Sequence, residues 1–234
     1  MILCSCSSSK SLIKDLSKYS FLLGYPYDSD IIECERNVKI AIGAVRTDSI
    51  DLLTYVNKTK RSVYPFIFYN LFKENFWVRL GQNSLEQSFP DFFLDSFLRE
   101  SFRTGCYTVV NDPKEADFVI DLILKDCKTE SVYQMKSQAL FLIYYYMTIY
   151  NEYAFSAFTD MEVQIRIIGR SGRSEKTYKL KKEMPWTGSA DDYFDDLRYD
   201  FMANMAESLS MTTKECIEMI IRDINLIIRY EPEE

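Results

Sequence analysis

The stretch Met161-Glu-Val-Gln-Ile-Arg-Ile-Ile168 alternates apolar and polar residues. Gly169-Arg-Ser-Gly172 then separates it from Lys176-Thr-Tyr-Lys-Leu180. Period two over such a length is the mark of a strand with one buried face, and a glycine-bounded turn between two such runs makes an antiparallel hairpin. That hairpin commits the chain to a sheet, and the remaining elements have to be fitted around it.

Several do fit. Val38 to Val45 reads as a largely buried strand, and the pattern of residues 46–62 is ambiguous. Val63 to Leu80 spaces its aromatics at close to period two, as one or two further strands would. Ser88-Phe-Pro-Asp91 forms a capping box with Pro90 in the first turn, and Phe93, Leu94, Phe97, Leu98 and Phe102 mark a helical face closed by Gly105. Cys106 to Val110 is expected as a short strand, Ala116 to Leu124 as a longer one, and residues 138–150 as one long strand, a buried helix fitting almost as well. Ser189-Ala-Asp-Asp192 caps a helix carrying Phe194, Leu197, Phe201, Met205 and Leu209. Thr212-Thr-Lys-Glu215 is expected to cap a separate last helix striped by Ile217, Ile220, Ile221, Ile224 and Ile228. Strands outnumber helices. The order implies an α+β fold, a mainly antiparallel sheet with helices packed on one face.

Composition narrows function more than fold. Histidine is absent from the 234 residues, so Ser-His-Asp and Cys-His catalysis and His-ligated zinc are excluded. The net charge of −7 argues against a nucleic-acid groove, which needs clustered Lys and Arg. No apolar run reaches the length of a membrane-spanning helix. The 17 Tyr and 16 Phe imply a core thick with rings or a surface that adheres to something. The six cysteines form no Cys-x-x-Cys pair, and Cys106, Cys127 and Cys216 read as small buried hydrophobes.

The amino terminus, Met1-Ile-Leu-Cys-Ser-Cys-Ser-Ser-Ser-Lys10, resembles the end of a bacterial lipoprotein signal, with Leu3-Cys4-Ser5-Cys6 as the processing box. The resemblance implies that residues 1–6 are a signal remnant with Cys6 lipidated, that 7–36 are a tether gaining order as it meets the domain, and that 37–230 are a single α+β domain.

Residues 84–126 carry a second resemblance. The capped helix, Gly105-Cys-Tyr-Thr-Val-Val110, then Asp112-Pro-Lys-Glu-Ala-Asp117 and an apolar strand resemble a group of bacterial envelope lipoproteins. The group comprises lipopolysaccharide-assembly lipoproteins, auxiliary lipoproteins of ABC-type transport systems, and the related amino-terminal domain of the translocation protein TolB. The resemblance implies a non-enzymatic accessory protein, without cofactor, anchored in the periplasm to the outer membrane by its lipid. Its partner would be an envelope transport or assembly complex.

Two constellations compete for a site. Arg166, Arg170, Arg173, Lys176 and Lys179, followed by Lys181 and Lys182, make residues 166–182 locally basic and a candidate interaction surface; a solvated hairpin edge reads equally from them. Asp191, Asp192, Asp195 and Asp196 resemble the aspartate-rich Mg²⁺ motif of isoprenyl-diphosphate synthases. Acids at a helix start, suiting its dipole, account for them as simply. The alternatives to the envelope reading are therefore a Mg²⁺-dependent enzyme using that cluster and a cytosolic protein-interaction domain.

Overall fold

The computed structural model describes residues 14, 18–47, 55–66, 69–142, 145–154, 156–169, 172–186 and 194–230. In chain order the principal elements are β1 (Lys39–Thr47), β2 (Tyr55–Phe66), β3 (Tyr69–Arg79), α1 (Phe89–Thr104), β4 (Thr108–Val110), β5 (Phe118–Leu142), β6 (Tyr145–Ala154), β7 (Ser156–Gly169), β8 (Gly172–Pro185) and α2 (Phe194–Tyr230). The fold is α+β. All eight strands share one mixed sheet: β1 runs parallel to β4 and β5, and every other pairing is antiparallel.

Strand β5, 25 residues long, is the spine of this sheet. Its first half lies between β1 and β7, its second half between β3 and β6. The expected single strand over 138–150 is instead the end of β5 and the start of β6, which pair antiparallel from Leu142↔Tyr145 to Gln134↔Ala154. An unbroken apolar run conceals such a reversal, because it holds none of the glycine, proline or asparagine that punctuates ordinary turns. The stretch Val63 to Leu80 likewise divides between β2 and β3, paired from Phe66↔Tyr69 to Tyr55↔Arg79.

The helices cover one face of β1, β5, β7 and β8 and are not packed extensively on β2, β3 or β6. Strand β7 shows the sidedness directly. Ala157, Thr159, Met161, Val163, Ile165 and Ile167 are buried beneath α2, while Phe158, Asp160 and Ile168 face outward. On β5 the buried set changes parity from Phe118, Ile120, Leu122 and Leu124 to Cys127, Thr129 and Ser131. The cause is a register shift against β7 between Leu124 and Asp126, since one extra residue moves every later side chain to the opposite face. A second irregularity interrupts β1 between Ile42 and Val45. There the Ala44 N–H donates to the nearly buried Asp121 carboxylate at 2.8 Å. Gly43 makes room, since a Cβ there would sit 2.4 Å from that same oxygen.

Helix α1 starts as its box requires. The Ser88 hydroxyl accepts from the Asp91 N–H at 3.2 Å, and the Gln82 side-chain oxygen accepts from the Phe89 N–H at 3.0 Å. Its buried face is Phe89, Phe92, Phe93, Ser96, Phe97 and Glu100. Phe102, expected on that face, is 75% exposed and lies beside the Arg36 guanidinium, 5.4 Å from its ring centre. Gly105 ends the helix in extended backbone, with its N–H bonded to the Ser101 carbonyl. A side chain at this position would collide with that carbonyl and with the Tyr107 ring.

The expected two carboxyl-terminal helices are one, α2, of 37 residues. Thr212 and Thr213, expected at a cap, lie in its buried interior. Their hydroxyls donate back to the carbonyls of Ser208 and Leu209, as Ser210 does to Ala206. This i−4 bonding lets a cap-forming pattern persist inside a continuous helix. Residues 18–36 of the proposed tether lodge Phe21, Leu23 and Tyr25 in the core and exchange backbone bonds with Ser84 and Glu86.

Candidate functional site

The basic hairpin forms as expected, and the register explains its chemistry. Cross-strand pairing sets Arg166 opposite Glu175, Glu162 opposite Lys179 and Asp160 opposite Lys181. Ion pairs close at each row: Arg166 to Glu175 at 2.8 Å, Lys179 to Glu162 at 2.8 Å and Lys181 to Asp160 at 2.8 Å. Arg173 also meets Glu175, whose carboxyl is held below the usual carboxylate range by hydrogen bonds from Arg173 and Arg166. Hydrogen bonding to Asp160 raises the Lys181 ammonium.

The alternate positions turn toward α2. Lys176 reaches Asp223 at 2.6 Å, and Lys182 reaches Glu215 at 3.0 Å. The Tyr178 hydroxyl donates to the same Asp223 carboxylate at 2.7 Å. Burial opposes ionisation of Asp223, but the Lys176 and Tyr178 bonds outweigh it and hold the carboxyl below its ordinary value. Residues 166–182 are thus basic in sequence and largely charge-balanced in space, because the acids arrive from β7 and α2. Arg170 lies outside the described residues.

Of the aspartate cluster, Asp191 and Asp192 are outside the described residues; Asp195 and Asp196 fall in the first turn of α2 as described. Cys6 is also outside them. Among the described residues no group of acids or cysteines has metal-binding geometry.

A different pattern emerges where β2, β3, β5 and β6 run on past the helices. Residues 62–72 and 137–151 contain no charged residue. The register aligns these two segments at one end of the sheet, with Tyr69↔Leu140 and Leu140↔Met147 in one row. A charged row, Lys73↔Lys136↔Glu152, bounds them. From Lys136 to Leu142 the arm extends roughly 20 Å at about 3.3 Å per residue. The sequence shows both segments, but only pairing shows that they form one uncharged end.

Cysteine chemistry departs from expectation as well. Cys106 is not a free buried thiol: it forms a disulfide with Cys34, 72 residues away, with 5.5 Å between Cα atoms. Cys127 and Cys216 do remain free and buried, and burial pushes the Cys216 thiol up to about 12. A pairing across 72 residues leaves no spacing signature in the sequence.

Next to the disulfide, the 28–32 segment and the distal halves of α1 and α2 border an open pocket of about 340 Å³. Its walls are strongly tied. Arg103 donates to the Ser29 and Tyr27 carbonyls, at 2.5 Å and 3.3 Å. Asn225 accepts from the Cys106 N–H at 2.8 Å and donates to the Thr104 carbonyl at 3.0 Å. Glu218 takes the Ser29 hydroxyl at 3.0 Å and Lys214 at 2.7 Å, and Lys214 also bridges to Asp28 at 2.7 Å. Amid this network the fully buried Glu100 carboxyl has no hydrogen-bond partner on either oxygen. Burial first, then the charges of Glu100 and Glu218, hold the nearby Tyr25 phenol far above its ordinary range.

No family model matches the chain, and no curated protein matches it. Among solved structures, the crystal structure of protein XCC0632 from Xanthomonas campestris, of family DUF330, is similar with a TM-score of 0.42 and 11% identity, covering 90% of this chain and 97% of that one. At that level the likeness assigns neither family nor function.

Proposed function

We propose that this chain is a non-enzymatic accessory protein of an envelope transport or assembly complex, held in the periplasm at the outer membrane through a lipid on Cys6. The observation that carries the reading is the Cys34–Cys106 disulfide. Such bonds persist in oxidising compartments and are rare in the reducing cytosol, so it favours an extracytoplasmic protein over a cytosolic interaction domain. The amino-terminal box and the envelope-lipoprotein pattern of residues 84–126 point the same way.

The docking element in this reading is the uncharged end of the β2–β3–β5–β6 arm. Charge depletion and aromatic enrichment are the compositional marks of an interface centre, and 62–72 with 137–151 have both. The hairpin of β7 and β8, balanced by its own acids and by Glu215 and Asp223 of α2, serves to hold the sheet and α2 together.

Fractionation tests the anchor. Cys6→Ala expressed from the native locus should move from the membrane to the soluble periplasmic fraction; unchanged membrane partition would overturn it. Leu140→Asp tests the arm. It should leave Cys6 lipidation intact while abolishing co-purification with membrane partners after mild crosslinking; retained crosslinks would show that the arm is not the docking element.

A further inference from the structure

The sheet has four outer strands, β2, β4, β6 and β8, and among the described residues each pairs on one side only. An open edge offers a row of unpaired N–H and C=O groups, and proteins guard such edges with short strands, Lys, Pro or bulges. Strand β4 is only three residues long. Strand β2 carries Lys58, Lys60, Arg61 and Pro65. Strand β8 carries Lys176, Lys179, Lys181 and Lys182 and ends at Pro185. The first part of β6 differs from all three. Tyr145-Tyr-Met-Thr148 has no charge, proline or glycine, and its Tyr and Thr favour strands.

Position sharpens the contrast. Strands β6 and β7 follow one another along the same flank of β5, β6 from Leu142↔Tyr145 to Gln134↔Ala154 and β7 from Ser131↔Ala157 onward. Strand β8 lines the outer edge of β7 and stops at Ser156↔Pro185. The outer edge of β6 therefore begins where β8 leaves off, and among the described residues no strand continues the row. We infer that β6 pairs antiparallel with β6 of a second copy of this chain, joining two sheets into one across a twofold axis. A strand edge is recognised by another strand, and self-pairing about a twofold axis is the simplest closed arrangement.

The register follows from one bulge and one charge. Ile149 is the extra residue of β6, between the pairs Ala139↔Thr148 and Gln138↔Tyr150, and it divides the strand in two. An axis through the second part would set two Glu152 carboxylates against each other, which like charges disfavour. An axis through the first part sets Tyr145 against Thr148 and Tyr146 against Met147, with no charge opposed. The same operation about the middle of β2 would oppose Lys60 to Arg61. Tyr145–Thr148 lies at the end of the arm, apart from the principal helix contacts, so the two helix-covered cores fall on opposite sides of the join. The contact is an edge and uses neither face of the arm. It depends neither on the docking role of the arm nor on a lipid at Cys6.

Sedimentation equilibrium tests it on the full chain carrying Cys4→Ser and Cys6→Ala, which removes association driven by lipid or by those thiols. The mass should rise from one chain toward two between about 1 and 200 µM, the range proper to a small edge contact. Met147→Lys should raise the dissociation constant at least about tenfold, whereas Ser62→Lys, on the β2 edge, should leave it within about twofold. With β6 unsubstituted, amide exchange over 145–148 should slow severalfold at the higher concentration, a readout that needs no edge variant to fold. A monomer at every concentration overturns the inference and leaves the edge to a strand from another protein. So does a dimer insensitive to Met147→Lys, or one weakened by Ser62→Lys instead. Because no membrane partner is present in the measurement, failure here leaves the docking reading standing.

Discussion

One strand runs through two unlike regions of this molecule. In its first half, β5 is held by β1 and β7, lies under α2, and buries Ile120, Leu122 and Leu124. In its second half it is held by β3 and β6, away from the principal helix contacts, and beyond Lys136 it carries no charge. The covered half obtains stability from burial at about 25 cal/mol per Å². The arm has backbone pairing to its two neighbours, β3 and β6. The same strand thus serves as core where α2 lies across it and runs on elsewhere as a paired segment free of charge beyond Lys136.

If this contrast is right, damage to the covered half should be costly. Phe97→Ala removes a fully buried ring from the α1 face and should cost about 3–5 kcal/mol in urea unfolding. Because β5 is shared, the arm should unfold with the core: the fluorescence of a tryptophan placed in the arm by Tyr146→Trp, in a Trp77→Phe and Trp186→Phe background, should coincide with the far-ultraviolet transition. Two separated transitions would break the comparison by making the arm an independent unit. Next in size, Cys34→Ser frees a 72-residue crosslink and should cost about 2–5 kcal/mol, with reductant bringing the native protein to the same stability.

A smaller effect probes how α2 is fastened to the sheet. Thr129, Thr159 and Ser208 form a buried hydroxyl chain, with oxygens 3.1 Å and 2.9 Å apart. Thr159→Val strands both neighbours and should cost about 1–3 kcal/mol, whereas Val at both Thr129 and Thr159 should cost less than the sum of the single changes.

Acid titration sharpens the role of the β8–α2 contacts. Asp223 titrates below its unfolded value, so its contribution is complete above about pH 4 and is lost as pH falls through the folded value. Asp223→Asn should flatten the acid limb of the stability curve and leave its slope above pH 5 unchanged. Smallest of all, Lys179→Ala removes an exposed cross-strand pair and should change stability by less than about 1 kcal/mol. A larger loss would mean that the hairpin charges act as one network.

What was legible in the sequence tracks what is local. The Ser88 cap, the alternation in β7 and the pairing of β7 with β8 are decided by neighbours a few residues apart, and all appear as read. The parallel placement of β1 beside β4 and β5 depends on a crossover through α1 that no short pattern records. The basic character of 166–182 was real in one dimension and misleading in three, since Asp160, Glu215 and Asp223 come from outside the hairpin turn. Glu100 was legible only as an anomaly: it continues the helical stripe of Phe93 and Phe97 as an acid on the buried face of α1, and nothing local says what lies beside it.

The Cys34–Cys106 bond has a mechanical consequence. A pull on the amino-terminal end of the chain first peels away residues 18–33, drawing Phe21, Leu23 and Tyr25 out of the core. It then meets a covalent stop at Cys34, before the load reaches β1. Beyond that point force passes into the junction of α1 with β4 and is shared by the whole sheet. Reduction removes the stop and lets the same pull unzip β1, the strand against which β5 is laid.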